Sequence, residues 1–339
     1  MGRAFVTLGI ETSCDDTALA LLDGSHRILA EYISSQIKDH EPFGGVVPEF
    51  ASRKHLESFL PLLRALLARA GINNPARQID LVAVTAGPGL MGSLLVGVMA
   101  AKGLSQAWET PLIGVNHLEG HIFANRVNFP ELVPPFLCMI VSGGHTEIIL
   151  VKAWGDYSLL GATRDDAAGE AYDKAAKLMG LGYPGGPMVD KLSQEGDPSA
   201  FSLPIPLKNT TQVEFSFSGL KTAVLWEIRK IEEKGQKLPV KDLCSSFQKA
   251  VVNALITKLQ LAVGQSGINK VAVSGGVAAN SGLRKALEEL KNLEVFIPPV
   301  SHCTDNGVMV AAAGYNCFKR GLRSDLSLSP DPSWEITPR

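Results

Sequence analysis

The sequence predicts an α/β protein built from two similar halves, and two repeated patterns support this prediction. The first pattern is an apolar run, a polar turn and a second apolar run; it occurs at 5–22 and returns at 136–151. The second is a β-rich run that ends in a small, glycine-containing turn and opens a helix; it occurs at 82–87 and returns at 271–276. Both repeats in the same order indicate a duplicated α/β fold.

The second half is longer than the first between its two patterns. Thr17 and Thr146 are 129 residues apart, whereas Val82 and Val271 are 189 residues apart. The difference predicts an insertion in the second half, and residues 155–245 are the natural place for it.

These patterns divide the chain into three parts. We predict a first lobe over residues 1–135, a second lobe over 136–325 with a helical insertion near 155–245, and a C-terminal tail over 326–339. The tail is predicted to be loop-like because the sequence after Gly321 is rich in Ser, Pro and Asp. A chain of 339 residues can bury a sizeable core without disulfide or metal staples.

Two amphipathic runs predict long helices. One covers Ser58–Ala70 and stops at Gly71, and the other covers Leu243–Val263 and is closed by Gly264.

The stretch 81–101 carries no charge and is long enough to span a membrane, but it contains a proline and several glycines. We interpret it as a buried strand, a glycine turn and the start of a buried helix.

Charge and cysteine content exclude several classes of protein. The formal net charge is −2, which excludes a strongly basic nucleic-acid wrapper but not a local basic patch. The five cysteines are odd in number and form no CxxC pair, so a disulfide framework is not expected. This cysteine content favours a protein of the reducing cytoplasm. The N-terminal segment has no signal-peptide pattern.

The clearest metal-binding pattern is the pair His117 and His121. Histidines four residues apart lie on one face of a helix and can bind one metal ion. Pro111–Val115 is strand-like, and Asn116 is a suitable N-cap for the following helix. The spacing leaves the third ligand open, with three candidates near glycine turns: His145, His302 and Asp305.

This histidine pair does not form the zincin motif of metalloproteases. That motif needs a glutamate directly after the first histidine, where it acts as the general base. Here that position is Leu118. Glu119 follows about 100° further round the helix and is expected to point elsewhere.

Glycine-containing turns are the second chemical signal. Without a Cβ, the backbone N–H groups of such turns can approach phosphate oxygens, and a following helix N-terminus adds a favourable dipole. The turns lie at 87–89, 142–145, 182–186 and 274–276. None matches a P-loop or a clean Rossmann fingerprint.

Five carboxylates lie beside proposed site segments and are candidates to hold a metal, orient a hydroxyl or act as a base: Asp15, Asp16, Asp173, Asp190 and Asp305.

Taken together, the motifs resemble those of the bacterial TsaD family of tRNA adenosine threonylcarbamoyltransferases. The matching segments run in the family's order and are Gly9–Thr17, Gly44–Glu49, Asn116–His121, Val141–Thr146, Gly169–Lys174, Gly182–Pro187, Phe215–Lys221, Ser274–Asn280 and Thr304–Gly307. The resemblance covers nearly the whole chain.

The resemblance implies a fold and a reaction. The fold would be the duplicated actin-like domain of the sugar-kinase and Hsp70 type, with two lobes around a central nucleotide cleft. The family transfers a threonylcarbamoyl group from threonylcarbamoyl-AMP to the adenosine beside the anticodon of tRNAs that read ANN codons. Its bacterial members work with a catalytically inactive paralogue and a small ATPase.

The resemblance also implies site residues. His117, His121 and Asp305 would hold one divalent metal ion, with Fe²⁺ favoured over Zn²⁺. Asp15 is our candidate for a carboxylate that orients the attacking amine or takes its proton. The adenylate would be bound by Ile140, Val141, Ser142, Gly143, Gly144, Asp173, Gly186, Asp190 and Asn280.

Two departures from the family pattern are small. Asp16 stands where many members have Glu, and Tyr172 replaces a common Phe.

Three alternative functions remain: a metalloprotease, an ATPase or small-molecule kinase of the same fold, and a non-catalytic scaffold. We expect no membrane association.

Overall fold

Each half of the predicted repeat folds into a five-stranded mixed sheet. The structure, a computed structural model, describes residues 3–337. Contacts divide the chain into two compact units: the first joins the residues up to Leu132 with those from Thr304 onwards, and the second is Val133–Cys303.

The sheet of the first unit has the strand order β3-β2-β1-β4-β5. Its strands are β1 Val6–Glu11, β2 Asp16–Asp23, β3 Ile28–Ser35, β4 Leu81–Gly87 and β5 Leu112–Asn116. Strand β1 pairs antiparallel with β2 and parallel with β4, which in turn pairs parallel with β5. The carboxyl ends of β1, β4 and β5 therefore meet at one edge of this sheet, the place where open α/β sheets bind ligands.

The sheet of the second unit repeats this arrangement with the order β10-β9-β6-β7-β8. Its strands are β6 Phe136–Val141, β7 Thr146–Ala153, β8 Asp156–Ala162, β9 Lys270–Ser274 and β10 Glu294–Phe296. Strand β6 takes the place of β1: it is antiparallel to β7 and parallel to β9. The identical pairing confirms the predicted duplication.

The central strands form because their sequences are continuous apolar runs. Every residue of β1, β4 and β6 is buried, as expected for strands covered on both faces. Edge strand β3 instead mixes buried, half-buried and exposed residues. The other edge strand of the first unit, β5, is mostly buried, so among the described strands of this unit β3 alone presents an exposed edge.

Helices cover the first sheet. They are α1 Ile37–His40, α2 Pro48–Arg69, α3 Pro75–Gln78, α4 Met91–Trp108, α5 His117–Asn128 and α11 Gly307–Lys319, with a short 3₁₀ turn at Glu41–Phe43. Helix α2 buries Ala51, His55, Phe59, Leu63 and Leu66, a spacing that places them along one helical face. The strand and helix predicted within 81–101 are confirmed as β4 and α4.

The second unit carries the remaining helices. They are α6 Ala168–Leu178, α7 Gly185–Ser193, α8 Ser218–Glu233, α9 Val240–Ser266 and α10 Ser281–Glu288, with 3₁₀ turns at Gly276–Ala279 and Val300–His302. Its core brings Phe215, Phe217 and Phe247 together with apolar residues of β6, α6 and α9.

The unit boundary corrects the predicted lobe over 136–325. Helix α11 packs on β1, β2, β4 and α5 of the first unit. Two glycines permit this approach, since a Cβ at Gly9 would collide with the carbonyl oxygen of Gly307, and a Cβ at Gly307 would collide with the Ala20 amide nitrogen. Sequence order placed α11 in the second lobe, but packing places it in the first.

The C-terminal tail is also part of the first unit. Residues 326–337 form no helix or strand, as predicted, and residues 338–339 lie outside the described residues. The Asp331 amide donates a hydrogen bond to the Ala86 carbonyl (2.8 Å), and the Asn116 side-chain amide donates one to the Trp334 carbonyl (3.0 Å). The tail therefore runs along the carboxyl edge of the first sheet.

Three predicted element boundaries need correction. Helix α2 begins at Pro48, ten residues before the predicted start at Ser58, because its first turns are partly polar. Helix α9 continues through Gly264 and ends before Gly267, which adopts a left-handed φ of 70°. The predicted insertion near 155–245 begins with strand β8 of the sheet, and only its later part is helical.

All five cysteines are free, and four of them are buried. Among the described residues, none of the helices is long and apolar enough to cross a membrane.

Candidate metal and nucleotide sites

The candidate metal site lies at the carboxyl edge of the first sheet. His117 is the first residue of α5, directly after β5, and His121 follows one turn later. Asn116 caps this helix as predicted, since its side-chain oxygen accepts hydrogen bonds from the amides of Leu118 and Glu119. This cap fixes where the helix begins and therefore where both imidazoles point.

The third member of the site is Asp305, which precedes helix α11. Its neighbour Asn306 caps α11 by accepting a hydrogen bond from the Met309 amide at 2.9 Å. Asp305 Oδ1 lies 3.5 Å from His117 Nε2 and 3.3 Å from His121 Nε2. Of the three candidates that the sequence left open, Asp305 is the one beside the histidine pair.

The donor set fits a divalent metal ion. One ligand atom from each of His117, His121 and Asp305 lies within 4.8 Å of the others. His121 is fully buried, yet neither of its ring nitrogens has a hydrogen bond among the described residues. A buried ring nitrogen without a hydrogen bond is costly, and a metal ion between His121 Nε2 and Asp305 would satisfy that nitrogen. Two imidazoles and a carboxylate suit iron and zinc alike.

The surroundings of the set favour a cation. Burial lowers the pKa of His117, but the carboxylates of Asp305 and Glu11 outweigh burial and raise that pKa to about 9. The Asp305 side chain is 23% exposed, whereas both histidines are buried. Three protein ligands with one solvent-facing side leave room for a substrate oxygen, as in catalytic metal sites.

The loop after β1 carries the other carboxylates. Asp15 and Asp16 are half-buried. Burial raises the pKa of Asp15, and the charge of Asp305 adds to this rise while a hydrogen bond with Cys14 opposes it. The loop is held in place from α4, because Thr12 Oγ1 donates to the Ser93 carbonyl at 2.9 Å and Ser93 Oγ donates to the Cys14 carbonyl at 3.0 Å.

Glu119 is turned away from the histidine pair, as the sequence predicts. One of its oxygens lies 3.3 Å from Arg320 Nη1, and the other lies 3.6 Å from Cys317 Sγ. It therefore does not occupy the position of a zincin general base.

The candidate nucleotide site lies in the second unit, at the carboxyl edge of its sheet. Ile140 and Val141 end strand β6, and residues 142–145 form the turn to β7. The Ser142 amide donates to the His145 carbonyl at 2.8 Å, and the His145 amide donates to Ser142 Oγ at 3.0 Å. These bonds fix the turn while leaving Gly143 and Gly144 between them.

The glycines around this turn serve two different purposes. A Cβ at Gly169 would lie 2.6 Å from the Ser142 carbonyl oxygen, and one at Gly275 would collide with the Val141 carbonyl oxygen, so these positions pack backbone on backbone. A Cβ at Gly143, Gly144 or Gly186 would have no atom within 4 Å. The second group faces open space, where amide groups can meet a phosphate.

The predicted polar residues of the second unit have partners within that unit. Asp173 Oδ1 accepts a hydrogen bond from the amide of Gly185, the first residue of α7, at 2.7 Å. Asp190 accepts from both the amide and the hydroxyl of Ser281, at 3.1 Å and 2.7 Å. Asn280 caps α10 by accepting from the Leu283 amide at 2.9 Å. These residues therefore set the positions of helix N-termini.

Sequence reasoning missed two residues that organise these sites. Gln248 donates to Asp190 Oδ1 at 3.0 Å and accepts from Asn280 Nδ2 at 2.7 Å, which links two predicted nucleotide residues. Glu11 ends β1 and contacts His117 Nδ1 at 3.2 Å. The sequence signal for Glu11 is a carboxylate at the end of a wholly apolar strand, since such a charge needs a partner.

Comparisons with known proteins identify the family of the chain. The family model described as "TsaD: tRNA N6-adenosine threonylcarbamoyltransferase" matches residues 27–312. A relative of that name from Thermosipho africanus is 50% identical over 98% of this chain and 100% of its own length. Another, from Clostridium botulinum, is 47% identical over the full length of both chains.

Solved structures show the fold. HypF in its phosphate- and nucleotide-bound form superposes with a TM-score of 0.59 at 15% identity, over 94% of this chain and 56% of that one. The activator of 2-hydroxyisocaproyl-CoA dehydratase from Clostridium difficile gives a TM-score of 0.55 at 16% identity, over 94% and 97% of the two chains. These similarities confirm the predicted duplicated, actin-like α/β fold.

Proposed function

The chain belongs to the tRNA N6-adenosine threonylcarbamoyltransferase family, a family of transferases, and from this premise we propose its reaction. The donor is threonylcarbamoyl-AMP, and the acceptor is the exocyclic N6 amine of the adenosine 3′ to the anticodon in tRNAs that read ANN codons. A bond forms between N6 and the carbamoyl carbon, the bond from that carbon to the phosphate oxygen breaks, and the amine loses a proton. The products are AMP and N6-threonylcarbamoyladenosine.

The observation that carries this proposal is the cluster of His117, His121 and Asp305. The three residues would hold a divalent ion, for which we propose Fe²⁺ over Zn²⁺. When bound, the ion would supply Lewis-acid polarisation of the carbamoyl carbonyl. An aromatic amine is a weak nucleophile, so orientation and carbonyl polarisation matter more for this reaction than base strength.

The chain's own residues supply the remaining roles. We assign Asp15 to orient the attacking amine or accept its proton, and its raised pKa makes it a better proton acceptor than an ordinary aspartate. In the second unit, we assign the backbone amides of Gly143, Gly144 and Gly186 to the AMP phosphate, because the space beside these glycines is open. Asp173, Asp190 and Asn280 hold the helix ends beside them, and Ile140, Val141 and Ser142 shape the turn.

Partners follow from the same proposal. The near-zero net charge favours tRNA binding through a local surface, with help from other proteins. We propose an inactive paralogue and a small ATPase as those partners, as in bacterial members of the family. Because tRNA is the substrate, we expect the protein to work in the cytoplasm.

The test is reconstitution. The protein is mixed with the two partners, threonylcarbamoyl-AMP and unmodified tRNA, and the nucleosides are analysed by mass spectrometry. We expect one N6-threonylcarbamoyladenosine per AMP released, on ANN-reading tRNAs alone. ATP turnover without tRNA or partners, with no modified nucleoside, would instead support an ATPase or kinase.

A further inference from the structure

The carboxylate of Glu11 is fully buried at the end of β1 and makes three polar contacts. Its Oε1 accepts a hydrogen bond from the Ser13 amide at 2.5 Å, and its Oε2 accepts one from Thr85 Oγ1 at 2.6 Å. The same Oε2 lies 3.2 Å from His117 Nδ1. Burial of a charge is costly unless its oxygens are satisfied, so these contacts fix the carboxylate in one position.

The contact with Glu11 determines which nitrogen of His117 can donate its lone pair to a metal ion. A carboxylate oxygen accepts hydrogen bonds, and Glu11 Oε2 faces Nδ1 of the His117 ring. Nδ1 therefore carries a hydrogen, which Ser13 Oγ, also 3.2 Å away, can accept as well, and in the neutral ring the lone pair lies on Nε2. Nε2 is the nitrogen that faces Asp305, at 3.5 Å.

We infer that Glu11 is a positioning residue that orients His117 for metal binding and joins the metal site to the loop that carries Asp15. The first part follows from the hydrogen bond to Nδ1, since a carboxylate behind a metal-binding histidine fixes its tautomer and ring orientation. The second part follows from the Ser13 amide, which ties the start of that loop to the same carboxylate.

Thr85 supports this arrangement from the neighbouring strand. Parallel pairing of β1 with β4 and of β4 with β5 brings Glu11, Thr85 and His117 to the same edge of the sheet. The Thr85 hydroxyl satisfies Oε2 and keeps it beside the imidazole. The inference rests on the proposed metal site, but it concerns a residue outside the three proposed ligands.

The test uses the purified chain stripped of metal and titrated with Co²⁺ in the presence of a competing chelator. We expect Glu11→Gln to weaken Co²⁺ binding roughly 10- to 100-fold, the usual effect of losing such a partner. We also expect the visible Co²⁺ absorption bands to shift, because His117 loses its fixed orientation. Thr85→Val keeps the charge but removes one restraint, so a smaller loss, about threefold, is expected.

Asp23→Asn is the matched control. Asp23 is a buried carboxylate of the same unit that accepts hydrogen bonds from Ser25 and Arg27. Its loss should lower stability without changing Co²⁺ affinity or spectrum. Wild-type affinity and spectrum in folded Glu11→Gln would overturn the inference. If that variant does not fold, wild-type behaviour of Thr85→Val would do so. Failure of the wild-type chain to bind Co²⁺ would overturn the metal site itself.

Discussion

The carboxyl edges of the two sheets have the same strand topology but opposite chemistry. In the first unit, the turn after β1 carries Asp15 and Asp16, and the site beyond it is built from histidines and carboxylates. In the second, the turn after β6 is Ser142-Gly143-Gly144-His145, and its two glycines are exposed. We propose that the duplicated scaffold carries a cation site on one copy and an anion-binding turn on the other, because loops change without altering the strands that hold them.

The strongest test of this comparison removes the cation site. In the double variant His117→Ala, His121→Ala, we expect metal binding to be lost and threonylcarbamoyl transfer to fall at least about 100-fold, since Lewis-acid polarisation contributes several kcal/mol. Metal content and modified-nucleoside yield are measured together. AMP binding to the second unit should persist.

The control for that variant is His26→Asn. His26 lies in the turn between β2 and β3 with a φ of 64°, which asparagine tolerates. Full transfer activity in the double variant would show that the reaction does not need a metal ion at His117 and His121.

The second test targets the backbone packing of the proposed anion-binding turn. Gly275→Ala should destabilise the chain by about 3 kcal/mol, because Gly275 has a φ of 91° and a Cβ there would collide with the Val141 carbonyl. Chemical denaturation measures this loss. Gly264→Ala, inside helix α9 with no atom within 4 Å, should instead stabilise by up to about 1 kcal/mol. Equal effects of both substitutions would contradict the role of close backbone approach.

The third test uses pH to probe the acidic turn. Burial raises the pKa of Asp16 to about 7 from an ordinary value of 3.8; a hydrogen bond with Ser35 opposes the rise, and the Asp15 and Asp305 charges add to it. The folded chain therefore holds this proton more tightly than the unfolded chain. Its stabilising effect is complete below pH 3.8 and is lost as the pH rises through 7.

Asp16→Asn keeps the neutral form at every pH. In metal-free protein, we expect it to raise the free energy of unfolding by about 2 kcal/mol at pH 8.5 relative to wild type, and by much less at pH 5. This value is below that of the full pKa shift because water screens a half-buried carboxyl. A pH-independent difference between the two proteins would show that Asp16 does not titrate in this range.

The smallest expected effect concerns the open amides of the glycine turn. Gly144→Ala should leave stability nearly unchanged, because its Cβ would have no atom within 4 Å, but it should weaken AMP binding roughly fivefold, about 1 kcal/mol. Calorimetric titration with AMP measures this change. Gly103→Ala, an open position on α4 of the first unit, should leave AMP affinity at the wild-type value. Unchanged AMP affinity in Gly144→Ala would show that the AMP phosphate does not bind at this turn.

Local sequence patterns determined much of this protein. Apolar runs fixed the central strands, and their repetition predicted two sheets that share one topology. The i, i+4 spacing of His117 and His121, with Asn116 as the cap, fixed a two-histidine helical site because helix geometry depends only on neighbouring residues. The same spacing rules predicted that Glu119 would point away.

Only the tertiary structure decided which distant residues complete the site. Asp305 joins the histidine pair because α11 packs back on the first sheet through the close approach of Gly9 and Gly307. Glu11 meets His117 because parallel pairing aligns the ends of β1, β4 and β5. Neither contact has a periodic signature along the chain. Spacing predicts neighbours within one helix or strand, whereas contacts between elements depend on how those elements pack.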